Sequence, residues 1–282
     1  MPAPARKRIS VFAMFLALVL CAIATGLAYR GWSFYQLPIE DRPEHPDFRT
    51  LRPSGLLGNG YGWVAALLIV LNLSYLIRRR FGSARLGSMQ KWLDAHVFTG
   101  LLAATLVSFH SAFQIRTPIA ATSTASLGLV VLTGLIGRFL FALAPANSRE
   151  RLRLALDNVE AVLPGYRDRL ATAIAERPGP NIRADASLLR SLFAIPSWRR
   201  ASRVRRECIY LMLPRRRELK RPQRRAIKEL VIAASVEARA AGVGALLRSW
   251  RGLHRFFALL MLAAVLLHAG IAWYYGYRWI FA

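Results

Sequence analysis

The segment "KWLDAHVFTGLLAATLVSFHSAF" (91–113) has the composition of a bilayer-crossing helix, yet it holds two histidines, His96 and His110. A second segment, "HRFFALLMLAAVLLH", opens at His254 and closes at His268, again fourteen residues apart. Imidazoles in hydrocarbon are costly, so such residues mark a functional site by default. On a helix, fourteen residues rise roughly 21 Å and turn the second side chain only about 40° from the first. Each helix therefore presents two imidazoles on one face, one near each membrane surface.

Neutral imidazole is a metal ligand. The third and fifth spans of the chain are separated by one intervening span, so they run parallel. That places His96 at the depth of His254, and His110 at the depth of His268. Two imidazoles facing each other at one depth can ligate a single iron from opposite sides. A haem with both axial positions filled suits electron transfer rather than oxygen binding. Zinc and copper prefer more clustered ligands, and no third ligand is evident at either depth. Cys21 and Cys208 are the only cysteines and form no CxxC motif. Covalent haem attachment and an iron–sulfur site are thereby excluded, and two noncovalent haem b groups are expected. The fifth histidine, His45, lies in "DRPEHPDF" and is expected to be solvated.

The elements that carry these residues follow from hydropathy. The chain is 55% hydrophobic yet has a net charge of +25. Windows close to the roughly 20 residues that cross a bilayer fall at 11–29, 61–77, 92–114, 122–144 and 254–275. The prediction is an all-α, polytopic membrane bundle of about five spans. The first span is an uncleaved, peripheral anchor (1–30), followed by an outer loop (31–60) and spans two to four (61–145). A basic helical insertion (146–253) precedes the fifth span and outer C-terminus (254–282).

Lys and Arg concentrate on the cytoplasmic side of short loops. Arg6, Lys7 and Arg8 precede the first span, and Arg78, Arg79, Arg80, Arg85 and Lys91 follow the second. The 146–253 insertion holds 24 Lys/Arg against 10 Asp/Glu, whereas 31–60 is nearly balanced. The expected topology has the N-terminus and the insertion in the cytoplasm and the C-terminal "GYRWIFA" outside. Within the insertion, Leu152, Leu154, Leu156, Val159 and Val162 recur at helical spacing. Breaks are expected at Pro164–Gly165 and at "RPGP" (177–180). No Gly-rich phosphate loop follows a strand. Beside a membrane, its basic runs suit anionic headgroups or an acidic partner protein, not nucleic acid.

The segments "DAHVFTGLLAATLVSFH" and "GLHRFFALLMLAAVLLH", with "GLVVLTGLIGRFLFALAP" between them, resemble the membrane dihaem b-type cytochromes. The nearest analogies are the haem-bearing helices of cytochrome b in quinol–cytochrome c reductases and the ferric-reductase-like and cytochrome b/b6-like bacterial proteins. The resemblance covers spans two to five and implies a bacterial inner (plasma) membrane location, with a periplasmic C-terminus. It implies a transmembrane electron-transfer subunit whose partners are the lipid bilayer and redox proteins. Those proteins would be a periplasmic multihaem cytochrome c or a cytoplasmic flavin or iron–sulfur protein, with quinone as a further candidate. Gly100, Gly128, Gly134 and Gly137 suit the close approach of a macrocycle or of a neighbouring helix. Arg138 and Arg255 suit pairing with a haem propionate, and equally a positive cytoplasmic flank. The alternatives at this level are a membrane reductase acting on quinone or ferric chelates, and a haem-free scaffold whose basic insertion recruits a partner.

Overall fold

The computed structural model describes residues 11–81, 86–142, 147–177, 187–215 and 217–275. The basic N-terminus, Arg85, residues 178–180 of "RPGP" and "GYRWIFA" lie outside the described residues. Among those described there is no strand, and the helices are α1 (Val11–Arg30), α2 (Trp32–Gln36), α3 (Phe48–Leu51), α4 (Leu56–Asn72), α5 (Ser74–Phe81), α6 (Met89–His110), α7 (Pro118–Ala142), α8 (Ser148–Val162), α9 (Arg167–Ala175), α10 (Leu188–Phe193), α11 (Ile195–Met212) and α12 (Arg221–Tyr274). Five helical segments are long and apolar enough to cross a membrane: Val11–Arg30, Phe48–Phe81, Met89–His110, Pro118–Leu140 and one within Arg221–Tyr274. The chain is a multi-pass helical membrane protein by that measure.

Two boundaries differ from the hydropathy reading. Helix α4 begins at Leu56, ahead of the hydropathy window at 61, because the turn at Gly55 already starts it. The fifth span is the last part of a single 54-residue helix rather than a separate element from 254. Its one proline, Pro222, lies in the first turn, where proline is tolerated. Composition changes from basic to apolar near 254 while the helix continues unbroken.

The chain divides into two compact units, Met1–Leu135 with Arg255–Ala282, and Ile136–His254. In the first, α4, α6, α7 and α12 each contribute one buried residue to a common core: Ile69, Ala103, Leu127 and Met261. Helix α1 packs on α6, and none of its residues is buried. Ser123 Oγ donates to the Ala264 carbonyl at 3.1 Å, tying α7 to α12. Leu127 one turn on and Met261 three residues back share that core, so α7 and α12 are antiparallel.

The loop between α1 and α4 forms a small core of its own, with Phe34 and Leu51 packed on Ala112. Its hub is Arg42, which is buried. Arg42 donates from Nε to Leu37 O at 3.0 Å, from Nη1 to Ala112 O at 2.9 Å and from Nη2 to Tyr35 O at 3.0 Å. Burial pulls its guanidinium down from the ordinary value, but three carbonyls compensate the charge. Burial also pushes the Tyr35 phenol up to about 12, so the ring is neutral where it meets Phe109 and Phe113 edge-on. His45, expected to be solvated, is half-buried: it accepts from Asp47 N–H at Nδ1 (3.1 Å), leaving Nε2–H to donate to Ser33 Oγ at 3.2 Å. Helix α6 ends where Ala112 and Phe113 take φ of 49° and 60°. Left-handed backbone is unusual at two successive residues with side chains, and the Arg42 bond to Ala112 O holds the turn.

The second unit has its core on α8, α9, α11 and the first part of α12, centred on Val159, Leu170, Ile209 and Leu230. Of the expected stripe, Leu156 and Val159 are buried and Leu152 and Val162 partly so, whereas Leu154 points outward. Leu154 lies about 200° from Leu156 on the helix, so both cannot face one core. The break at Pro164–Gly165 occurs as expected, with Gly165 at φ 83°. Glu160 accepts there from Gly165 N–H (2.8 Å) and Arg167 N–H (2.9 Å), bonds that hold its carboxyl below the usual range. Buried Arg205 donates to Arg177 O at 2.8 Å and pairs with Glu237.

Candidate functional site

Helix α4 positions the first imidazole. His110 Nδ1 lies 2.8 Å from the Gly58 carbonyl oxygen. A carbonyl can only accept, so Nδ1 carries the proton and Nε2 holds the lone pair of the neutral ring. A carbonyl on the far nitrogen is the usual device that fixes a ligating histidine. One turn along α4, a Cβ added at Gly62 would stand 2.7 Å from His110 Nδ1, so the absence of a side chain is what lets the ring lie there. "GNGYG" (58–62) is the sequence signal for this close approach, and the glycines singled out from sequence did not include it.

His268 of α12 completes the arrangement. Its ring centroid lies 6.3 Å from that of His110, with the planes at 85°. Both rings are half-buried. At this separation no two ring nitrogens can approach closer than about 4 Å, beyond hydrogen-bond range. Two nitrogens on opposite sides of one metal ion, each about 2.0–2.1 Å from it, would stand at that limit. Seven residues before each histidine, Ala103 and Met261 share one core cluster. Within this unit α6 and α12 therefore run parallel and in register.

The second histidine of α6 repeats the pattern more loosely. His96 Nδ1 lies 3.4 Å from the Asn72 carbonyl oxygen, and its ring packs at 4.8 Å on Tyr75. Thr99 Oγ1 donates to the Asn72 side chain at 2.7 Å. Gly58 and Asn72 are fourteen residues apart on α4, as His110 and His96 are on α6, so one antiparallel register serves both histidines. His254 belongs to the other unit and is half-buried there. Arg138 is half-buried in that same unit, and Arg255 is exposed.

The glycines expected to allow close approach of a macrocycle or of a neighbouring helix differ in their surroundings. A Cβ at Gly100 would meet only Asn72, at 3.4 Å, and one at Gly137 would meet Trp250 at 3.0 Å. Gly128 faces open space. Among the described residues no group of three His, Cys, Asp or Glu side chains gathers as a metal site. His110 and His268 stand as a two-imidazole arrangement.

Fold and site together define a multi-pass helical membrane protein in which His110 and His268 lie side by side. No family model, no curated protein and no solved structure matches this chain.

Proposed function

We propose that this chain is a transmembrane electron-transfer subunit that holds two noncovalent b-type haems, each between one histidine of α6 and one of α12. The observation that carries this reading is the His110–His268 pair, with ring centroids 6.3 Å apart and no direct hydrogen bond between them. The residues fit the group. Two imidazoles supply too few ligands for a bare ion, whereas a haem would bring ligands of its own and need only two from the chain. The Gly58 carbonyl presents Nε2 of His110 as the ligating atom, and Gly62 leaves room for the ring.

The second pair, His96 with His254, rests on the matching fourteen-residue spacing. Held by these imidazoles, such haems would supply one-electron oxidation and reduction. The protein's part is to fix the imidazoles, exclude water with the apolar residues around them and set the local charge. Arg138 and Arg255 are the candidate cations for propionate carboxylates. The Lys/Arg distribution supports a cytoplasmic N-terminus and basic unit and an external C-terminus, in a bacterial inner membrane. Redox proteins on either side, or quinone, would then be donor and acceptor.

The reading is tested by redox-titrated absorbance spectra of the purified chain, with and without quinol. Two b-type components, one bleached and restored by a partner on each face, are expected. A protein without a haem spectrum after expression in haem-replete cells would overturn it. A reporter fused after Ala282 that is active only in the cytoplasm would overturn the topology alone.

A further inference from the structure

The electron-transfer reading makes no use of the charged surface of the second unit. Helix α11 turns Trp198, Arg205, Cys208 and Ile209 into that unit. Its outward side carries Arg199, Arg200, Arg203 and Arg206, all exposed, against the single carboxylate of Glu207. Large apolar side chains of α10 and α11 are exposed as well. Phe193, at the end of α10, is 82% exposed, and Leu211 is 86% exposed, the highest value for a large apolar residue among those described. Val204 lies seven residues before Leu211, two turns back on the same stripe, and is also exposed.

We propose that the α10–α11 face lies on the membrane surface and binds anionic phospholipid headgroups. Phe193, Val204 and Leu211 enter the acyl boundary, and the four arginines meet the phosphates. Isolated exposed apolar residues need no explanation. Here they share a surface with four guanidinium groups, and a polybasic surface next to a bilayer attracts anionic headgroups. Arginine forks match phosphate oxygens bidentately. The occupant is a membrane rather than a soluble acidic protein because the chain enters this unit along α7 and leaves along α12, each of which contains a candidate span. A unit joined at both ends to candidate spans meets lipid at high effective concentration. This inference is independent of whether the histidines hold haem.

The test uses the full chain in nanodiscs of phosphatidylcholine alone or mixed with phosphatidylglycerol, read by hydrogen exchange. Amides of 195–212 should exchange about fivefold more slowly or better with the anionic lipid, while those of α8 and α9 do not change. R199Q/R200Q/R203Q should lose that difference with exchange in α8 and α9 intact, which shows the unit still folded. Equal exchange in the two lipids overturns the proposal. So does slowing spread evenly over the whole unit, or slowing that requires an added acidic protein and not the lipid.

Discussion

The Nδ1 of His110 and the carbonyl oxygen of Gly58 meet at 2.8 Å, across helices 52 residues apart in the chain. This bond decides which ring nitrogen of His110 carries the proton and which holds the lone pair. It exists because Gly62, one turn further along, has no side chain in the way.

Gly62→Ala should therefore disturb the site. Replacing glycine by alanine inside a helix ordinarily stabilises by about 0.5–1 kcal/mol. Here the new Cβ would lie 2.7 Å from Nδ1, and the ring must move off its carbonyl. One of two haem components should weaken or shift in the reduced-minus-oxidised spectrum, with a lower thermal midpoint in detergent. Gly26→Ala on α1, where nothing lies within 4 Å, should leave the spectrum unchanged and stability equal or higher.

Arg42→Ala should loosen the turn after α6. It would strip donors from the carbonyls of Leu37, Tyr35 and Ala112 at once. Leaving such acceptors buried should cost about 2–4 kcal/mol in total. Faster hydrogen exchange across 34–51 and at the end of α6 is the expected readout. Arg42→Lys should recover only part, because one ammonium lacks the planar fork that reaches three carbonyls.

Acid should open the same loop. The hydrogen bond from Arg30 holds the Asp47 carboxyl below the usual carboxylate range. A depressed folded value contributes stability above the ordinary value of about 4 and loses it as pH falls through the folded one. Local exchange in 42–51 should therefore accelerate below about pH 4. Because the Arg30 side chain is half-exposed, the effect should be small and should fade in high salt. Asp47→Asn should abolish its pH dependence.

Much of the bundle is legible in the sequence because hydropathy and helical period are local properties. The reading of His110 beside His268 came from equal spacings of fourteen on parallel helices, and the two ring centroids lie 6.3 Å apart. The supporting residues were not legible. Gly58 and Gly62 act through α6, and nothing within α4 says that a histidine lies against them. Arg42 resembles any loop arginine until its partner, a carbonyl 70 residues away, is known. The continuity of α12 was hidden for the opposite reason, because composition changes near 254 while the backbone does not. Leu154 fits an apolar pattern only if azimuth is ignored.

The most direct test of the central claim is haem content and redox-difference spectra for the wild-type chain and for single alanine variants of the four histidines. The account predicts two b-type haems in the wild type. His110→Ala and His268→Ala should each delete the same spectral component, and His96→Ala and His254→Ala should each delete the other. One haem per chain, or His110→Ala and His268→Ala acting on different components, would contradict it.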